Sequence, residues 1–442
     1  MNIHILQAKR NLLSRTNKDT NGGYGTVNDF GNGWASRLLA KLKTRSMNFP
    51  ELAPAYASAI LKAQGHCVTY GENSDNPAAD ITLLQTSIVH YNEELRQARA
   101  LRKKYPGMKI GLFAGVCDAY AQKYADEFDF VITGEFESAL MKREIGNFSR
   151  IEKGEFIDDL NEIPYPNWDH VPETLGTNLV TRKSDSKLFP MLASRGCPMS
   201  CRYYCTYPLI QGTRQRKRSI ENIIGEIKHL INKYGMNLVL FRDPIFSLDM
   251  EHSRLLCERI IAEKLKFDWI CETHPKFLND DMLSLFSAAG CRAVKLGIES
   301  GNKEVIGLSK RQTQEFDFQY QIIRSCEKNN IKVLGFFIIG YFDDAIATIE
   351  QTIDHAIWLN AYGAQFTVAT PYPGTDWYND IKKQNDIYSL SENPEDYTQY
   401  NLVYRHPQLT SNQIMELMNK AYRKYYFRLG YIWKHHLGSF FR

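Results

Sequence analysis

The segment Ser194-Arg-Gly-Cys197-Pro-Met-Ser-Cys201-Arg-Tyr-Tyr-Cys205-Thr-Tyr-Pro208 decides how the chain is read. Three of the nine cysteines stand close together in it. The other six, Cys67, Cys117, Cys257, Cys271, Cys291 and Cys326, are scattered among apolar segments, as small buried hydrophobes are. Three thiolates on one short loop bind three corners of an iron–sulfur cube and leave the fourth iron open for a substrate or cofactor. A structural zinc site wants a fourth ligand, and His229 and His252 lie far along the chain. A redox dithiol suits Cys-x-x-Cys, a spacing absent here. Chance clustering is the remaining alternative.

Working outward, the loop follows the strand-like run Leu188–Ala193. Five more such runs come after it: Leu238–Phe241, Phe267–Cys271, Ala293–Ile298, Lys332–Ile339 and Gln365–Ala369. Helical stretches separate them, with Ser219, Asn279 and Asp344 as N-cap candidates and Gly235 and Gly290 as stops. This rhythm predicts an α/β fold, a partial (β/α)6 TIM-type barrel over residues 188–383. An open sheet of the same units is the alternative. In such barrels the loops after the strands build the active site.

Residues 1–148 alternate in the same way. Strand-like runs at Asn2–Leu6, Cys67–Tyr70, Asp80–Leu84, Lys109–Phe113 and Phe128–Thr133 are joined by helical stretches, among them Pro50–Lys62 and Asn92–Lys104. They predict a doubly wound, Rossmann-like parallel sheet. The polar, Gly/Asn-rich stretch Arg10–Ser46 reads as a long loop near the ligand edge of that sheet, or as disorder. Residues 149–187, with Pro164, Pro166 and Pro172, read as a linker. Residues 384–442 read as a helical segment ending in a basic, aromatic run. We expect that run to pack its aromatics on the barrel, with attachment to a membrane surface as the weaker alternative.

The 442 residues exceed one ordinary core. A net charge of +4 is small for this length and does not argue for nucleic acid as the main partner, so none is expected. No apolar stretch is long enough for a transmembrane segment, and Met1–Arg10 lacks the pattern of a signal peptide, so a cytoplasmic location is expected.

The run Arg195-Gly-Cys-Pro-x-x-Cys resembles the cluster loop of the radical S-adenosylmethionine (SAM) superfamily. The resemblance continues through Cys271-Glu-Thr-His, Leu296-Gly-Ile-Glu-Ser-Gly301, Gly335-Phe-Phe-Ile-Ile-Gly340 and Pro371-Tyr-Pro-Gly-Thr375, and covers Leu188 to Trp377. It implies that Cys197, Cys201 and Cys205 hold a 4Fe–4S cluster, that SAM chelates the open iron, and that reductive cleavage of SAM yields a hydrogen-abstracting 5′-deoxyadenosyl radical. It implies an external electron donor of the flavodoxin or ferredoxin type. The family spacing is Cys-x-x-x-Cys-x-x-Cys, so this loop carries one extra residue, and either Tyr203 or Tyr204 takes the place of the aromatic that contacts SAM. Asp243, Glu272, Glu299 and Ser300 follow barrel strands and are the expected cofactor-binding side chains, Glu299 foremost. His274 is the candidate proton donor. Gly340-Tyr-Phe-Asp-Asp344 stands where many relatives have Gly-x-Pro-Gly-Glu.

Relatives with a doubly wound domain before the barrel often bind cobalamin. Pro50–His66, Ala114-Gly-Val-Cys117 and Phe128–Glu135 resemble parts of their first domain, with Gly115 and Cys117 as cofactor-binding candidates. The Asp-x-His-x-x-Gly motif that supplies an axial histidine is absent. The resemblance implies a cobalamin-dependent methyltransferase acting on an unactivated carbon of a small-molecule or lipid-like substrate. The alternatives are a radical SAM enzyme that performs a rearrangement, cyclisation or coupling without cobalamin, and a non-catalytic iron–sulfur protein.

Overall fold

The structure, a computed structural model, describes residues 1–442 except 9–15, 28–29, 47–49, 116–117, 170–174, 177–185, 313 and 438–442. Its first sheet is built from β1 (Asn2–Gln7), β2 (Cys67–Glu72), β3 (Ile81–Gln85), β4 (Lys109–Phe113), β5 (Phe130–Gly134) and β6 (Ile151–Gly154). All pairings are parallel, in the order β2-β1-β3-β4-β5-β6. β1 is flanked by both β2 and β3, with Ile3 opposite Val68 on one side and Ile81 on the other. The strand order reverses there, which opens a crevice at the carboxyl ends of β1 and β3.

Elements in two stretches depart from the sequence reading. β6 lies within the stretch assigned to the linker, so the first sheet runs on to Gly154. A four-residue edge strand reading Ile-Glu-Lys-Gly has no apolar run to announce it. The expected loop Arg10–Ser46 contains the helix Trp34–Ser46. Its start is fixed by tertiary contacts: the Gly33 N–H donates to Asn419 Oδ1 at 3.0 Å, and Trp34 meets Phe427 edge-on at 4.6 Å.

The second sheet has a two-residue antiparallel edge strand, Leu175–Gly176, beside six long strands: β7 (Ser186–Met191), β8 (Leu238–Phe241), β9 (Asp268–Thr273), β10 (Cys291–Glu299), β11 (Lys332–Ile339) and β12 (Gly363–Val368). The six long strands are those the sequence reading expected. They pair in parallel in chain order, giving the expected partial barrel. Ser219 caps the helix Ile220–Tyr234, which Gly235 ends in the left-handed region, and Asn279 caps Asp280–Ala288. The cap of Ile346–Leu359 is Ala345. Asp344, one residue earlier, instead accepts the N–H groups of Gly340 and Tyr341 at 2.8 and 2.9 Å.

The open edge at β12 is covered by the aromatic C-terminal helix Ser411–Tyr426, as expected. The Tyr422 hydroxyl donates to the Phe366 carbonyl at 2.8 Å and accepts from the Phe366 N–H at 3.0 Å. Tyr426 treats Ala364 in the same way, at 2.8 and 2.9 Å. Four helical residues rise about 6 Å and two strand residues about 6.6 Å, so hydroxyls at i and i+4 match strand residues at i and i+2. An exposed edge that would otherwise pair with another strand is thereby satisfied.

Candidate functional site

The cluster loop is held at its base. Asp243, just after β8, accepts from the Ser194 N–H at 2.5 Å, the Ala193 N–H at 3.1 Å and the Ser194 hydroxyl at 2.7 Å. The carboxylate that the sequence reading offered to a cofactor is thus engaged as an anchor for the loop. Gly196 has φ +87°, and a Cβ there would meet the Arg214 carbonyl at 2.1 Å, so only glycine fits. The flanking Arg195 and Arg216 reach the first domain. Arg216 Nη2 lies 2.6 Å and Arg195 Nη1 3.4 Å from Glu135 Oε1, and Arg195 Nη2 lies 2.7 Å from Glu137 Oε1. All four side chains are buried, and the two domains meet through this clamp.

Cys197 and Cys201 are buried, Cys205 is partly buried, and Met199 and Ile245 complete an apolar nest around them. A hydrogen bond between the Cys201 and Cys205 thiols holds Cys201 down to about 7 and pushes Cys205 up. Burial pushes Cys197 up to about 11. Among the described residues, no group of three or more His, Cys, Asp or Glu side chains is placed to hold one metal ion. A cube asks for something else, one thiolate per iron at three corners, and this apolar three-thiol nest fits that demand.

The loop makes the 3-10 turn Ser200–Tyr203, and its two tyrosines take different partners. Tyr203 lies outward beneath the Lys310 ammonium, 3.9 Å from its ring centroid, and its hydroxyl donates to Asp380 at 3.3 Å. Tyr204 turns inward, edge-on to Tyr341 at 5.9 Å. A cavity of about 130 Å³ opens beside them, lined by Tyr203, Tyr204, Tyr341, Phe342, Trp377 and Asp380 among others.

Glu299 ends β10 with φ +72°, where the pairing with β11 shifts register. A non-glycine residue held in the left-handed region marks a site the surrounding structure over-determines. Burial raises the Glu299 pKa against the opposing Arg311, whose Nη1 lies 3.1 Å away. Arg311 also donates to the Gly297 carbonyl at 2.9 Å. Sequence reading missed Arg311, which lies in an irregular stretch beyond the helix Lys303–Leu308 and outside every motif. Ser300 is spent on a turn, bonded to Thr352 at 2.9 Å and to the Asn302 N–H at 3.1 Å. His274 Nδ1 accepts the Lys276 N–H at 3.1 Å, and burial, with Arg311 and Lys276 nearby, pushes its pKa down to about 3. The ring is therefore neutral at ordinary pH. Glu272 lies deeper, 3.0 Å from both Arg242 Nη1 and Lys295 Nζ. Burial favours its protonation, but the two cations outweigh it and hold the carboxyl below its ordinary value.

The first domain meets this site through residues near Asp19. The Gln85 side chain donates to Asp19 Oδ1 at 3.0 Å, and Arg242 Nη2 donates to the Asp19 carbonyl at 3.0 Å. The Thr206 hydroxyl, next to Cys205, donates to the Asn21 carbonyl at 2.7 Å. Gly115 has φ +72°, and a Cβ on it would meet the Gly23 carbonyl at 2.1 Å. The close approach it permits is to this chain's own backbone. Cys117 lies outside the described residues. Ser87 follows β3 at the crevice, is fully buried, and its hydroxyl has no partner among the described residues.

Residues 191–356 match the family described as the Radical SAM superfamily, and the barrel is a radical SAM domain. The chain is similar to an uncharacterized methyltransferase of Pyrococcus horikoshii, 33% identical over 62% of this chain and 57% of that protein. It is also similar to the bacteriochlorophyllide d C-12(1)-methyltransferase of Chlorobaculum tepidum, 24% identical over 67% of this chain and 64% of that protein. The matches thus span more than half, but under two thirds, of these relatives' lengths. The fold is similar to that of the radical S-adenosylmethionine methyltransferase TsrM from Kitasatospora setae, solved with cobalamin and a [4Fe-4S] cluster. That likeness has TM-score 0.66 and 14% identity, over 95% of this chain and 90% of that one. Among the described residues no helix is long and apolar enough to cross a membrane.

Proposed function

We propose that the protein is a cobalamin-dependent radical SAM methyltransferase acting on an unactivated carbon of a small molecule. The observation that carries the reading is the meeting of two carboxyl edges. The ends of β1 and β3 in the first sheet face the cluster loop and barrel rim through Asp19, Asn21 and Gly23. A substrate held at that junction lies between the two cofactor sites. When bound, the cluster with SAM supplies hydrogen abstraction and cobalamin supplies a methyl carrier.

The chain's own residues bind and orient. Cys197, Cys201 and Cys205 hold the cluster. Tyr204 and the Glu299–Arg311 pair would offer SAM an aromatic face, an acceptor and a cation. Ser87, whose buried hydroxyl has no partner among the described residues, lies in the first-domain crevice where cobalamin would bind. The buried nest keeps water from the reacting centre.

Anaerobic reconstitution with iron, sulfide and hydroxocobalamin, followed by desalting and absorbance, tests this. Near-stoichiometric cobalamin beside the cluster, with 5′-deoxyadenosine released from SAM after reduction, is expected. A loaded cluster without cobalamin would demote the first domain to a scaffold and bring forward a rearrangement or coupling.

A further inference from the structure

The inner face of the partial barrel is not packed solid. Along β11 the outward residues Val333, Gly335, Phe337 and Ile339 are buried, whereas the inward Leu334, Phe336 and Ile338 stay partly accessible. Gly297 on β10 and Thr367 on β12 share that state. In a barrel filled by its own side chains the inward residues are as buried as the outward ones. This lumen therefore admits a guest. Its floor is apolar, built from Leu188, Leu238, Leu240, Ile270 and Ala293.

One charged layer stands on that floor. Register sets Glu272 beside Lys295, and Arg242 reaches the same Glu272 oxygen from β8, so one carboxylate serves two cations. Arg242 turns its other terminal nitrogen to the first domain, at the Asp19 carbonyl. Lys295 is placed differently. An ammonium has three donors, and among the described residues Glu272 is its only hydrogen-bond partner. Its side chain is 9% exposed. Two donors on a buried cation, opening on a hollow with an apolar stripe opposite, ask for an anionic acceptor, because a buried donor left unmet is costly.

We propose that Lys295 binds an anionic group, carboxylate or phosphate, of a substrate whose apolar body lies along Leu334, Phe336 and Ile338. The assignment rests on reading the barrel as the chamber of a radical SAM enzyme, and it names the class of substrate that chamber takes. Arg242 reinforces the field, and Glu272 is the positioning residue that aims both cations.

Three probes test it on the cluster-loaded full chain by titration calorimetry: octanoate, octyl phosphate and uncharged octanol. At least one anion is expected to bind about 10-fold or more tighter than octanol, and the tighter of the two identifies the headgroup. Lys295→Met is expected to weaken that anion by about 10- to 100-fold, the range of a charge-assisted bond. It should leave octanol unchanged, and Lys295→Arg should keep most of the affinity. Equal binding of anion and octanol, equal anion binding by wild type and Lys295→Met, or no binding of either anion would overturn the site. Should Lys295→Met fail to fold, the contrast of anion with octanol in the wild type and in Lys295→Arg decides. The same preparation is assayed for cobalamin uptake and 5′-deoxyadenosine. A protein that passes there yet ignores charge loses only the anion site. One that binds octanoate through Lys295 but takes no cobalamin loses only the methyltransferase reading.

Discussion

Two buried ionic clusters join the parts of this molecule, and they are built on opposite plans. The clamp between the domains sets Arg195 and Arg216 against Glu135 and Glu137, two charges against two, with every side chain 6% exposed or less. In the lumen one oxygen of Glu272 meets both Arg242 and Lys295, Arg242 also feels the carboxylates of Asp19 and Glu51, and Glu272 remains 17% exposed. In both, burial favours protonation of the carboxyl but paired cations hold it below its ordinary value. Where the cations are fewer, burial wins. Glu299, with one arginine, is raised, and Asp344, held by neutral donors, is raised to about 6. A balanced, sealed cluster is architecture. An open one, whose lysine faces a hollow, is where the proposed anion would bind.

The largest expected effect comes from unbalancing the clamp. Arg216→Met leaves Glu135 buried with only the more distant Arg195, and should destabilise the fold by about 3–5 kcal/mol, the cost of stranding one partner of a buried pair. Removing both charges together, as Glu135→Leu with Arg216→Met, should recover much of that loss, because no charge is then stranded. Urea unfolding of the wild type, both single variants and the double variant measures the coupling. A single-variant cost below about 1 kcal/mol would place the clamp with ordinary surface pairs.

The same contrast explains what was legible in the sequence. The barrel was, because its strands read as apolar runs between capped helices and its cysteine loop has a rare density of thiols. Helix ends at Ser219, Gly235 and Asn279 followed from local chemistry. The clamp was not legible. Glu135 and Arg216 stand far apart in the chain, and each alone looks like a solvated charge. Arg311 was hidden for the same reason, since its meaning lies in a contact with Glu299 that only the barrel creates. Asp243 and Ser300 show the converse. Both sit at strand ends, where cofactor contacts are expected, but backbone donors and a neighbouring helix claim them. Strand ends say which residues reach the rim and not which of them the rim itself uses.

Asp344 sharpens the comparison as a carboxylate held, among the described residues, by neutral donors. Burial raises it to about 6, against Thr348 and the N–H groups of Tyr341 and Gly340. Its ordinary value is 3.8, so the folded state holds the proton more tightly than the unfolded chain. A raised carboxyl therefore adds stability at low pH, and this is lost as pH rises through about 6. Between about pH 4.5 and about pH 7.5 the loss amounts to roughly 2 kcal/mol. Asp344→Asn should remove that slope, read as the difference between wild-type and variant melting at the two pH values. Parallel pH dependence of the two proteins would show that Asp344 stays ionised and that its neutral donors do the work of a cation.

The smallest expected effect belongs to His274, which separates position at the rim from participation. It stands after β9 where a proton donor was expected, beside the Glu299–Arg311 pair. Burial, Arg311 and Lys276 all disfavour its charged form and bring it to about 3, and its Nδ1 is already taken by the Lys276 N–H. A ring that stays neutral from about pH 5 to about pH 8 has no proton to give in that range and only orders a turn. His274→Gln should therefore leave the shape of the pH–rate profile for 5′-deoxyadenosine formation unchanged, with any loss of rate uniform across it. A variant that removed one limb of the profile would show that His274 titrates in the loaded enzyme. The cation beside it would then have to be engaged elsewhere, with Arg311 drawn away to the carboxylate of bound SAM.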